Sequence, residues 1–111
     1  ANVESADAQV DQARLAYRTA ILTALEDVEN ALVTLNNALE RRDRLIEATQ
    51  SAQQADELAR QRYSGGLVDF LTVLDSQRTL RNLEDSLASN AGDVATAQAQ
   101  LYKALGGGWG S

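Results

Sequence analysis

The sequence predicts an all-α protein, a long antiparallel coiled-coil helical hairpin with unequal arms. Three observations carry that expectation. Apolar residues recur at helical spacing along almost the whole chain, and two sets fall on strict seven-residue repeats: Leu25, Leu32, Leu39 and Ile46, then Val73, Leu80, Leu87, Val94 and Leu101. The pattern changes character in one place only, from Arg62 to Arg78, around the pair Gly65-Gly66. The composition is 44% hydrophobic but only 5% aromatic, with abundant alanine and no proline, which suits thin helices packed side by side better than a globule around a bulky core.

The first helix is expected over 3–63. Val10, Ala13, Tyr17, Ile21, Leu25, Val28, Leu32, Leu35, Leu39 and Ile46 hold the helical spacing, and Ile21, Val28 and Leu35 stand four positions before the first three members of the heptad row. At 1.5 Å per residue a helix of about 60 residues would be roughly 90 Å long, so a rod is expected rather than a globule. Around and after Ile46 the seam loses its large apolar residues, with Arg42, Thr49 and Gln53 at its positions and Ala48, Ala52, Ala55 and Ala59 as small contacts. Leu15, Leu22 and Val33 lie off the main stripe, as in a helix with neighbours on both flanks.

The turn is expected over 64–68. Two glycines can supply the left-handed backbone that ends one helix, and Asp69 can accept the free N–H groups that start the next. The second helix is expected over 69–105 on the Val73 to Leu101 series, with Gln77, Ala91, Gln98 and Leu105 on the same face. Three glycines from Gly106 are expected to end it and leave Trp109 in a tail over 106–111. A second helix of this length can cover the first only from about Asp27 onward, leaving the stripe from Val3 to Glu26 without a partner in the chain.

Composition also sets limits on chemistry. A net charge of −6 argues against a nucleic-acid partner, and Arg41-Arg42-Asp43-Arg44 reads as a solvated helix face. With no cysteine and no histidine, disulfides, zinc sites and histidine acid–base chemistry are excluded, and no cofactor is expected. The neighbouring carboxylates Glu84 and Asp85, or Glu26 with Glu29, point to different sides of a helix and make no concave site, so an enzyme is not expected. No apolar run approaches the roughly 20 residues of a membrane-spanning helix, and any membrane connection is expected outside these residues.

One ordered set of motifs resembles a known family. Leu25-Glu26-Asp27-Val28-Glu29-Asn30-Ala31-Leu32, then Arg62-Tyr63-Ser64-Gly65-Gly66, then Leu71-Thr72-Val73-Leu74-Asp75-Ser76-Gln77-Arg78, and finally Leu101-Tyr102-Lys103-Ala104-Leu105-Gly106-Gly107-Gly108-Trp109 resemble the outer membrane factors of Gram-negative bacteria. The likeness is to the OprM-type lipoprotein branch, with the TolC type more distant. It implies a trimeric efflux channel in which a β-barrel crosses the outer membrane and a long α-barrel crosses the periplasm. This chain would be the last stretch of the second repeat of such a protomer, a piece of the periplasmic α-barrel, unable to form a channel alone.

The resemblance further implies roles near the turn. Asp75 matches the acidic position whose three copies ring the aperture, with Leu71 as the apolar ring beside it. Tyr63 and Arg78 match residues that hold the closed state. Gly65, Gly66, Leu67 and Val68 match the tip surface met by periplasmic adaptor proteins, which connect to an inner-membrane pump. In the TolC type a second aspartate lies three residues before the first; here that position is Thr72, so a double acidic ring is not expected.

Each residue also has a plainer reading. Asp75 could be a first-turn acid favoured by the helix dipole, Arg78 could pair with it along the helix, and Tyr63 could cover the turn. Three functions are compared on this basis: the tunnel segment of a drug or solute efflux channel docking an adaptor, a stand-alone coiled-coil scaffold, and the hairpin of an adaptor itself. Unequal arms and the Gly-Trp segment rank the adaptor hairpin last, and the content of the parent chain separates the other two. The isolated chain is expected to self-associate through its uncovered stripe.

Overall fold

The computed structural model describes residues 2–107 and contains two helices, α1 (Asn2–Ser64) and α2 (Phe70–Gly107). The fold is all-α. No proline and no glycine interrupts α1, and Glu4 in its first turn and Arg62 in its last complement the helix dipole. Gly92 lies inside α2 without breaking it, since one helical glycine costs only about 1 kcal/mol relative to alanine. Gly106 and Gly107 also continue α2, so the helix passes the expected stop at Leu105. Gly108, Trp109, Gly110 and Ser111 lie outside the described residues.

The chain divides into two units. One holds residues 36–96, the arms on either side of the turn; the other combines residues up to Leu35 with those from Ala97 onward.

In the 36–96 unit, Ala38, Leu45, Thr49, Ala52, Asp56 and Ala59 of α1 are buried or half-buried, a step of seven followed by steps of three and four. The corresponding residues of α2 step by three and four through Val73, Ser76, Leu80, Leu83, Leu87, Asn90 and Val94. The most enclosed apolar residues are small, Ala52, Ala59, Val73 and Val94. Alanine at the seam lets two helix backbones approach closely, so dispersion contacts are made by backbone and methyl groups in place of long side chains.

This seam corrects one expectation. Leu25, Leu32 and Ile46 are exposed, and only Leu39 of that row is half-buried. The more enclosed row stands one residue earlier, with Ala31 buried and Ala24, Ala38 and Leu45 half-buried. Both rows satisfy the same seven-residue repeat; the row of three alanines and Leu45 permits the closer approach and faces inward, which turns Leu25, Leu32 and Ile46 outward. In α2 the Val73, Leu80, Leu87, Val94 and Leu101 series does face inward. Its companions are Leu83, Asn90, Ala97 and Ala104, whereas Ala91, Gln98 and Leu105 are exposed and Gln77 is half-buried.

Three polar residues are buried in the seam: Thr49, Asp56 and Asn90. The Thr49 hydroxyl donates to the Leu45 carbonyl at 2.7 Å, satisfying itself within its own helix. Asn90, only 1% exposed, donates through Nδ2 to the Ala38 carbonyl at 3.1 Å, which ties α2 to α1. Asp56 accepts from Arg60 Nε at 3.2 Å through Oδ2. The remaining oxygens, Asp56 Oδ1 and Asn90 Oδ1, are buried without a partner among the described residues, and each such orphan costs stability.

In the other unit the buried pair is Ala31 and Ala97, the latter only 2% exposed. Every described side chain from Val3 to Thr23 is exposed, including Val10, Leu15, Tyr17, Ile21 and Leu22.

Candidate functional site

The candidate site is the turn and the first turns of α2. Its backbone closes α1 in two steps. The Gly66 N–H donates to the Tyr63 carbonyl at 3.0 Å, and the Leu67 N–H donates to the Arg62 carbonyl at 2.8 Å. Gly66 has φ +75°, so these bonds form a Schellman cap with glycine at its left-handed position. Gly65 keeps a right-handed backbone and donates to the Gln61 carbonyl at 3.1 Å. Of the two glycines, only Gly66 is required by conformation.

Asp69 starts α2. Its Oδ1 accepts from the Thr72 N–H at 3.1 Å and from the Thr72 hydroxyl at 2.9 Å. That satisfies one of the free donors of the first helical turn. Thr72 is thus committed to the cap through both its groups, a role that its sequence position alone did not reveal. Val68, half-buried just before the cap, and Val73, buried four residues into α2, occupy the positions of a hydrophobic staple.

An aromatic pair bridges the turn. The Tyr63 and Phe70 rings lie 5.5 Å apart at 55°, a tilted arrangement that favours ring edge over ring face. Tyr63 therefore covers the turn, as its plainer reading holds. Phe70 had no role assigned from sequence; the signal available was an aromatic directly after a capping residue, seven positions from another aromatic across two glycines.

Leu71, Asp75 and Arg78 fall at i, i+4 and i+7 of α2, hence on one helical face, opposite that of Val73 and Leu80. All three are exposed, Leu71 at 67%. Among the described residues the ion pairs are Arg42–Asp43 and Arg60–Asp56. Arg78 is not paired with Asp75 in this structure, contrary to its plainer reading. Asp75 also edges a shallow groove between the helices, formed with Ala52, Ala55, Thr72, Ser76 and Thr79. Leu67 at the apex is 78% exposed. The tip thus presents exposed Leu67 and Leu71, the partly exposed ring pair, and one carboxylate and one guanidinium free to meet other groups.

The Arg41 to Arg44 run is exposed, and its ion pair, Arg42 with Asp43 at 3.8 Å, is solvent-facing, as expected of a solvated face. No group of three or more metal-ligating side chains is present among the described residues, and no described helix is long and apolar enough to cross a membrane.

The family model described as outer membrane efflux protein matches residues 1–107. The pyoverdine export outer membrane protein OpmQ of Pseudomonas putida is 39% identical over 104 residues, covering 94% of this chain and 22% of that protein. The solvent efflux pump outer membrane protein SrpC of Pseudomonas putida is 35% identical over 109 residues, 98% of this chain and 23% of its own length. The outer membrane protein OprJ of Pseudomonas aeruginosa is 34% identical over 110 residues, again 98% and 23%. The chain therefore spans less than a quarter of the length of these relatives. No solved structure matches.

Proposed function

The chain belongs to the outer membrane efflux protein family, a family of efflux proteins and not of enzymes, and on that premise we propose that it is the periplasmic tunnel segment of a trimeric outer membrane channel. In this reading the turn is the periplasmic end of the protomer. The parent protein exports drugs or other solutes, meets a periplasmic adaptor at its tip and is coupled through the adaptor to an inner-membrane pump. The segment performs no chemistry; energy comes from the pump.

The observation that carries the reading is the face bearing Leu71, Asp75 and Arg78. It turns away from the seam and leaves the Asp75 carboxylate and the Arg78 guanidinium exposed and without an ion pair among the described residues. Three copies of Asp75 converging on one axis would attract cations and repel anions. Leu71, one turn earlier on the same face, would add an apolar ring. Arg78 would hold the closed state by pairing with a neighbouring helix, and an exposed pair worth roughly 0–1 kcal/mol is weak enough for an adaptor to displace. Tyr63 would act there through the ring pair that fixes the turn. Gly65, Gly66, Leu67 and Val68 form the surface offered to the adaptor.

The exposed stripe of α1 fits the same reading, because a tunnel stave is covered laterally by other staves. Freed from them, the 111-residue chain self-associates. The alternative of a stand-alone scaffold would need no exposed face of Leu71, Asp75 and Arg78 at the turn. The test is the Asp75→Ala substitution in the full-length parent, incorporated into planar bilayers. Loss of cation preference and a raised closed-state conductance are expected. A channel with unchanged selectivity and unchanged closed-state conductance would overturn the gate assignment.

A further inference from the structure

Leu71 and Asp75 share one face of α2 but are held in place by different bonds. A helix is closed turn by turn as each N–H donates to the carbonyl four residues back, and the N–H groups of its first turn have no such partner. Asp75 lies in the second turn of α2, inside that ladder. Leu71 lies in the first turn, directly after Phe70, where the helix begins. How firmly Leu71 keeps its helical position therefore depends on what caps the helix.

The bonds that do this fall on the two neighbours of Leu71. After it, Thr72 donates both its N–H, at 3.1 Å, and its hydroxyl, at 2.9 Å, to a single oxygen, Asp69 Oδ1. Before it, the Phe70 ring packs against Tyr63 of α1 with 5.5 Å between ring centres. Leu71 itself is 67% exposed, so contacts of its own side chain do little to fix it. Thr72 also lines the groove that Asp75 edges, yet its hydroxyl donates to Asp69 and not to Asp75.

We propose that Asp69 and Thr72 are positioning residues of the gate, acting on Leu71 and not on Asp75. The proposal deepens the channel reading above and rests on it. The cap holds the three copies of Leu71 in place as the apolar ring, while the Asp75 ring, one turn further into the helix, keeps its position when the first turn opens. Tightness of the closed channel and its preference for cations are thereby set by separate bonds.

The test uses the full-length parent in planar bilayers, with Asp75→Ala measured beside each variant. Asp69→Ala removes the cap and shifts the first turn roughly fivefold toward its open form; current through the closed channel rises by a comparable factor, with cation preference unchanged. Asp69→Asn keeps a capping oxygen without the charge, so the closed channel stays as tight as the parent. Thr72→Val removes the hydroxyl bond and keeps the backbone bond; it gives a smaller rise in the same direction, and its tip still folds. In a Leu71→Ala background, Asp69→Ala adds no further current, because the residue through which it acts is gone. Equal leaks in Asp69→Asn and Asp69→Ala would overturn the proposal by assigning the effect to charge. A changed cation preference in Thr72→Val would overturn it by making that hydroxyl a partner of Asp75. A tight Asp69→Ala channel, or a leak that adds in full to that of Leu71→Ala, beside an Asp75→Ala channel of altered selectivity, would reject the positioning role and leave the gate reading standing. An Asp75→Ala channel that matches the parent in both properties removes the gate reading, and this proposal with it.

Discussion

The seam of the 36–96 unit and the free stretch of α1 from Val3 to Leu22 use opposite materials. In the seam, burial falls on Ala52, Ala59, Val73, Val94 and Asn90. On the free stretch, Val3, Val10, Leu15, Tyr17, Ile21 and Leu22 remain exposed. A globule places its large apolar residues inside and its small ones wherever they fit; here the allocation is reversed. The inward surface is made for close approach between two helices of the same chain, and the outward surface carries the bulk that other helices would cover. On the tunnel reading proposed above, stability within one copy and assembly would rest on different residues, and each could be changed without the other.

The strongest way to break that division is to put bulk in the seam. Ala52→Leu adds three heavy atoms at a buried position of the seam, and the added volume must force the helices apart or the side chain off its rotamer. A loss of about 1–3 kcal/mol is expected, seen as a lower denaturant midpoint with helicity retained at low denaturant. A neutral or stabilising result would mean that the alanine seam is loosely packed and that the contrast with the outer surface is one of exposure only.

The turn sharpens the comparison at smaller scale, because two adjacent glycines differ in the same way as the two surfaces. Gly66 carries φ +75° with nothing within 4 Å of an added Cβ, so the cost of Gly66→Ala is conformational, about 1 kcal/mol. At Gly65 an added Cβ would meet only the Arg62 and Gln61 carbonyl oxygens at 3.7 Å, ordinary contacts, and the backbone is right-handed. Gly65→Ala should leave the thermal midpoint unchanged or raise it slightly. Equal losses for both substitutions would show that space, not backbone conformation, selects glycine here.

Much of this arrangement was legible in the sequence, for identifiable reasons. The turn was readable because its signals are local: Gly66 and Asp69 act through the backbone within three or four residues, and each does what its chemistry suggests. The α2 series was readable because only one row of large residues has the seven-residue period. In α1 two rows have it, and periodicity cannot choose between Leu25-Leu32-Leu39-Ile46 and Ala24-Ala31-Ala38-Leu45 one position earlier. That choice is made by how closely the backbones approach, a tertiary quantity. Asn90 was overlooked for the same reason: a polar residue within a heptad reads as surface until its Nδ2 finds the Ala38 carbonyl 52 residues away. Phe70 pairs with Tyr63 only because the intervening glycines bring them together.

The smallest effect on stability is expected on the outer surface, and it tests the division most directly. Leu15 and Leu22 are 61% and 58% exposed and lie seven residues apart on one face of α1. Replacing both with glutamine removes no contact within the chain and keeps good helix formers in place, so the unfolding free energy of the monomer should change by less than about 0.5 kcal/mol. Solution mass over a dilution series should nevertheless shift toward the monomer, since the substitution removes an apolar patch from the surface proposed for lateral packing. If the double variant instead loses stability while its association is unchanged, Leu15 and Leu22 serve the single copy, and the separation of seam from assembly surface fails where it was expected to be cleanest.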